Sequence, residues 1–269
     1  MTEGTSQAFR ATDQTRLMRR ILQIGAMSGL CAGLSLAMFL VTIGHGPIDD
    51  AVAFEDSRAA ASGGAVHEEM FSHGTQEWGG ALAMVLFGVA LGVIFMIVWG
   101  AAAHRLSTRS PMVAALQLGA VAFVSVVIVP SLKYPANPPG VSDPNTINER
   151  TMQYGSVLAA SILLTVLVWQ LVIRLSATAT PVTCAWAGAS AYGSGLLAIA
   201  FVLPASPDAI DAPADLVWRF RLVSMFGMGV GYVVLALVSG TLLTYWATSD
   251  ARVRRGTGQP VGEVPPPVR

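Results

Sequence analysis

VAFVSVVIVPSLKYPANPPGVSDPNTINERTMQYGSVLAASILL, residues 121–164, decides how the chain folds. An apolar run gives way to a polar stretch carrying Pro130, Pro135, Pro138, Pro139 and Pro144, and a second apolar run follows. Proline fixes φ and removes a backbone donor, so the middle of this stretch runs extended. Its flanks belong to longer apolar windows, about 112–130 and 153–175, neither of which contains a carboxylate. A window of about 20 apolar residues crosses the roughly 30 Å hydrocarbon core of a bilayer. Backbone groups in lipid must be satisfied within the segment, and the period-2 alternation of a barrel strand is absent, so both flanks are helices. The prolines therefore mark a connection at a membrane surface.

The rest of the chain repeats this pattern. Of 269 residues, 53% are hydrophobic and only 12% charged, with a mean hydropathy of +0.58, which excludes an ordinary soluble domain. Further apolar windows lie at about 21–43, 80–103, 184–204 and 222–247. The expected fold is an all-α membrane protein with six transmembrane helices arranged as three hairpins. Residues 1–16 form an N-terminal tail, 17–248 the membrane domain, and 249–269 a disordered tail with too little apolar content to fold. The longer connections, about 44–79, 131–152 and 205–221, share one side. The last two echo each other: each leaves its helix at a proline, Pro130 or Pro204, and reaches Arg150 or Arg219 and Arg221 before the next span.

Charge orients the chain. Eleven of the sixteen Lys and Arg residues lie on the side of the termini and twelve of the sixteen carboxylates on the other, so the positive-inside rule puts both termini in the cytoplasm. A signal peptide cleaved at Ala51-Val52-Ala53 is the weaker reading, because the apolar stretch exceeds a typical h-region and Asp49 and Asp50 intervene. Gly25, Gly29 and Gly33, then Gly88 and Gly92, and Gly227 and Gly231, recur every fourth residue on three spans and mark faces for close helix packing.

The densest set of metal-ligand residue types is VHEEMFSHGTQEW, residues 66–78, on the outer side. His67 and His73 supply nitrogen, and on a helix Glu69, His73 and Glu77 form one stripe, a mixed set suited to a borderline divalent ion. His45, past the end of the first span, is a further candidate ligand. The alternative reading of the run is an acidic lead into the second span, anchored by Trp78. HEEMFSH lacks the zincin spacing, and no P-loop occurs, which disfavours a zinc hydrolase and an ATPase. No span holds Asp, Glu or an interior Lys for a proton relay, and no nucleophile and base pair at credible spacing suggests an enzyme. Inward movement of a dication would draw about 4.6 kcal/mol per 100 mV from the membrane potential.

VPSLKYPANPPGVSDPNTINERT and LPASPDAIDAPADLVWRFRLVS resemble the two signatures of the CbtA family of predicted cobalt transporter subunits, and the likeness extends over roughly residues 17–248. Lys133, Tyr134, Pro135, Asn137, Pro138 and Pro139 carry it in the first stretch, and Trp218, Arg219, Phe220 and Arg221 in the second. The resemblance implies a multi-pass subunit of the bacterial or archaeal cytoplasmic membrane, with Co²⁺ as the transported ion, no bound cofactor, no nucleic acid, and supply of cobalamin biosynthesis as its use. It also implies a small single-span partner of the CbtB type bearing a histidine-rich segment. Members with a histidine-rich first loop differ from this chain, whose loop offers His67 and His73 besides His45, so metal ligands are expected from the partner too. Lys133, Arg150, Arg219 and Arg221 are expected to hold the proline loops against headgroups or carboxylates, with Glu149 or Asp215 as pairing acids, and the loops to frame a hydrated vestibule or dock the partner.

Overall fold

Residues 2–61, 73–102, 105, 110–207 and 210–256 are described by a computed structural model, with 2–13, 73–77, 144, 251 and 253–256 described in backbone only. Their regular structure is helical: α1 (Thr2–Phe39), a π-helical turn (Leu40–Gly44), α2 (His45–Ala61), α3 (His73–Ala102), α4 (Pro111–Phe123), a second π-helical turn (Val124–Ile128), α5 (Val129–Lys133), a 3-10 turn (Pro144–Thr146), α6 (Ile147–Leu175), α7 (Pro181–Val202) and α8 (Ala214–Gly256). Six stretches are long and apolar enough to cross a membrane: Gln14–Ala61, Trp78–Ala102, Pro111–Lys133, Ile147–Leu175, Pro181–Val202 and Ala214–Asp250. They coincide with the six windows read from the sequence.

Packing begins where side chains are smallest. Gly25, Gly29 and Gly33 of α1 meet Gly88, Gly92, Val85 and Val89 of α3, and a Cβ added at Gly29 would stand 2.8 Å from the Val89 Cα. The two backbones therefore touch directly, which gains dispersion energy where lipid offers no hydrophobic drive. α8 packs on both α1 and α4, with Gly119 against Ala236 and Gly240 against Met112. These four helices enclose a core of Ile24, Ala32, Phe95, Met96, Leu118 and Leu235. At the end bearing the termini, Arg20 binds Asp250 at 2.7 Å and lies over the Trp246 ring, tying α1 to α8.

α6 and α7 form a second unit beside the bundle. They pack on each other, and α6 packs on the rest through α5 and the second π turn. There the Ser161 hydroxyl donates to the Ser125 carbonyl at 2.6 Å. Only 6% of the most apolar window of α7 is buried, against 44% for the first span, so α7 lies at the periphery.

Three features depart from the sequence reading. The first and second spans pair as expected, but the third pairs with the sixth and the fourth with the fifth, because fitting small and large faces outweigh adjacency along the chain. The connection expected over 44–79 is helical through Ala61, supported by Ala51, Ala53, Ala59, Ala60 and Ala61. At about 1.5 Å per residue, the rod from Thr2 to Ala61 is roughly 90 Å long, about three bilayer cores, so much of it stands clear of lipid. Finally, α8 starts at Ala214 and runs to Gly256, which places Trp218, Arg219 and Arg221 on a helix and removes 249–256 from the expected disordered tail. Asp215 suits the first turn of α8 and the arginines 252, 254 and 255 its last turns, each complementing the helix dipole. Residues 257–269 lie outside the described chain.

Candidate functional site beneath two proline loops

The site grows from a break in helix geometry. At Val124–Ile128 the backbone widens to a π turn, and the Val129 N–H reaches the Val124 carbonyl. The Ser125 hydroxyl donates to the carbonyls of Val121 and Ala122, satisfying acceptors that the register change disturbs. Pro130 then falls in the first turn of α5, where a missing N–H is harmless, so the helix continues to Lys133 instead of ending at the proline as the sequence suggested. From Tyr134 the chain is extended. It turns at Gly140, whose φ of +71° favours glycine and where a Cβ would collide with the Glu55 carboxylate of α2. The Asp143 carboxylate accepts from the backbone and side-chain N–H groups of Asn145 and opens the 3-10 turn into α6.

Cross-ties fix this loop to its echo and to α8. The Lys133 ammonium donates to the Ala200 carbonyl at 2.8 Å, and the Tyr134 hydroxyl to the Pro204 carbonyl at 2.7 Å. Partial desolvation pushes the Tyr134 phenol further above its ordinary value, so it stays a donor at physiological pH. From α8, Arg221 donates through Nε to the Ala136 carbonyl at 3.2 Å and through one terminal nitrogen to Asn137 Oδ1 at 3.0 Å. Arg150 donates to the Asp143 carbonyl at 3.4 Å. Two ion pairs hold α2 over the assembly: Arg219 with Asp50 at 3.1 Å and Arg58 with Asp211 at 3.5 Å.

Under these ties lies a cavity of about 870 Å³ between α3, the second π turn, α6 and α8. Its floor and walls are mostly apolar, with Phe87, Val126, Val127, Leu158, Met225 and Met228; toward the loops it is polar, with Asn137, Ser142, Arg150, Gln153, Tyr154 and Arg221. Among the described residues two guanidinium groups line it and no Asp, Glu or His does.

The sequence had named Lys133, Tyr134, Pro135, Asn137, Pro138, Pro139, Arg150, Trp218, Arg219 and Arg221 as a loop and docking set. The structure brings Tyr134, Pro135, Asn137, Pro138, Pro139, Arg150 and Arg221 to the cavity wall, keeps Lys133 and Arg219 in the ties outside it, and leaves Trp218 exposed on α8. Arg219 finds a carboxylate, that of Asp50 and not of Glu149 or Asp215; Glu149 instead accepts from the Gln153 amide at 3.0 Å. Among the proposed metal ligands, His45 is exposed at the start of α2. His73 and Glu77 occupy the first turns of α3, their side chains undescribed, and His67 and Glu69 lie outside the described residues. Among the described residues no three His, Cys, Asp or Glu side chains gather as a metal site. Gln153 and Tyr154 are site residues that the sequence reading missed; only their place two turns into a span that follows a polar loop marked them.

No curated protein and no solved structure matched the chain. Residues 18–244 match the profile of a family described as "probable cobalt transporter subunit", spanning all six membrane helices and both proline loops. With six apolar helices, a loop signature folded over a cavity, and a match across most of its length, the chain belongs to the CbtA family.

Proposed function

We propose that this chain is the multi-span subunit of a bacterial inner-membrane system that takes up cobalt, works with a small single-span histidine-bearing partner of the CbtB type, and supplies cobalamin biosynthesis. The family match over residues 18–244 carries the reading. Both termini face the cytoplasm, as the distribution of Lys and Arg favours, and the proline loops face out. Co²⁺ is gathered on that outer side by His67, His73, Glu69 and Glu77, with His45 and the partner as further sources of ligands. The family's description as a subunit supports sharing of the metal path with the partner. The membrane potential is the drive available to a chain with no P-loop.

The test is ⁵⁷Co accumulation in cells expressing the chain with and without its partner. Uptake should require both, and accumulation unchanged by deletion of this chain would discard the proposal. A second reading, an accessory scaffold for a metal-handling partner, draws on the guanidinium-lined cavity, a poor neighbour for a bare dication. Vesicles under an imposed inside-negative potential separate the two: a scaffold adds nothing to the ⁵⁷Co flux through the partner alone.

A further inference from the structure

We infer that the second π turn is a register switch: in its π register it latches the α6–α7 pair to the bundle through Ser161, and in an α register it lets the pair go and opens the cavity between them. The latch follows from counting hydrogen bonds. The Val129 N–H serves the Val124 carbonyl, five residues back. The next donor in that register falls at Pro130, which has no N–H, so the helix leaves the Ser125 carbonyl without a donor of its own. Ser125 is only 5% exposed and lies within the third span, where water cannot replace the missing bond. The Ser161 hydroxyl of α6, itself fully buried, fills the place at 2.6 Å. The π turn therefore creates the acceptor that holds α6.

The two registers lie close together because each carries one fault. A π turn is an uncommon geometry in a helix. An α-helical 124–128 would return the Val129 N–H to Ser125, but would put Pro130 in a helix interior with its ring against the Val126 carbonyl. The arrangements differ by one residue of winding, which turns everything beyond by about 100° and moves it about 1.5 Å along the axis. What lies beyond is the pair's attachment: α6 packs on α5, Lys133 donates to the Ala200 carbonyl on α7, and Tyr134 to the Pro204 carbonyl just after it. Val126, Val127, Ser131 and Tyr134 also wall the cavity of about 870 Å³. One change of register thus removes the need for Ser161, draws both ties away from α7 and rebuilds that wall. On the other side α8 leaves space for the movement: the Phe123 ring, at the start of the turn, faces Gly229, where even an added Cβ would stand 3.5 Å off.

The test is the distance between spin labels at Leu82→Cys on α3 and Leu197→Cys on α7, both exposed positions, in the full chain in phosphatidylcholine nanodiscs with Cys31 and Cys184 replaced by Ser. Pulsed electron resonance should show a main distance and a longer minor one. Ser161→Ala should raise the ratio of long to short about three- to tenfold, the shift that follows from losing one net hydrogen bond. Pro130→Ala should raise it as well, because it relieves the α register and restores an N–H at position 130, and in that background Ser161→Ala should have no further effect. That failure of additivity separates a switch from a simple cross-tie. Circular dichroism and elution volume check that each variant is folded. A distribution unchanged by Ser161→Ala, one unchanged by Pro130→Ala, or an equal effect of Ser161→Ala in both backgrounds would overturn the inference. No metal is added and no flux is measured, so its failure and that of the transport reading are told apart.

Discussion

At the scale of single residues, the glycines on α1 and α3 and the arginines on the loop side play opposite parts. The glycines act by what they lack: at Gly25 a Cβ would stand 2.8 Å from the Gly92 carbonyl oxygen, and backbone cannot yield as a side chain can. Gly29→Val should therefore cost the bundle at least about 1–3 kcal/mol, the usual range for overpacking. The check is thermal stability by fluorescence size exclusion in detergent, with Ser57→Val on exposed α2 as the neutral control. The arginines act by position more than by strength. The side chains of Arg219 and Asp50 are 56% and 50% exposed, so water screens the pair and it contributes little. A double-mutant cycle of Asp50→Asn and Arg219→Gln should give a coupling below about 1 kcal/mol, shrinking further in high salt. A larger value would mean that α2 is held more firmly than its exposed ties allow.

At the scale of elements, the proline loop is ordered by neighbours distant in sequence. Its own prolines stiffen it, but the Tyr134 hydroxyl and the Lys133 ammonium reach the end of α7 and the loop after it, and Arg221 reaches it from α8. Tyr134→Phe removes one donor and leaves the Pro204 carbonyl to water. Limited proteolysis should then cut the 134–143 stretch several-fold faster in the variant, while the helices keep their circular dichroism. Equal cutting rates would show that the prolines alone hold the loop. The echo between the two loops, read from their similar order of proline, acid and arginine, has a physical outcome: one loop binds the end of the other.

At the scale of the whole molecule, a four-helix bundle of α1, α3, α4 and α8 carries the α6–α7 pair at its side, joined through the π turn and α5. The cavity lies at that junction, where α6 and α8 are held apart. Orientation is testable without transport. With Cys31 and Cys184 replaced by Ser, Ser142→Cys should react with a membrane-impermeant maleimide added to intact cells, and Arg252→Cys only after the membrane is opened. The reverse pattern would place the loops in the cytoplasm and end the uptake reading. α7, so little buried within the chain, presents a face that only lipid or another protein can cover.

The sequence by itself determined the six spans, because lipid forces every crossing segment to be helical, apolar and about 20 residues long, and those properties are local. It also determined the contact of α1 with α3, since a backbone approach needs glycine every fourth residue on both helices and Gly25, Gly29, Gly33, Gly88 and Gly92 supply it. The tertiary structure alone decided that the third span pairs with the sixth, that Arg221 meets Ala136 and Asn137, and that Gln153 comes to line a cavity. The π turns belong with these: VSVVI reads as any apolar helix, and its widened turn shows only where Ser161 of α6 arrives to bind the Ser125 carbonyl. Each of these depends on which surfaces fit across distant parts of the chain, and a side chain's sequence neighbours do not fix which distant partner it meets.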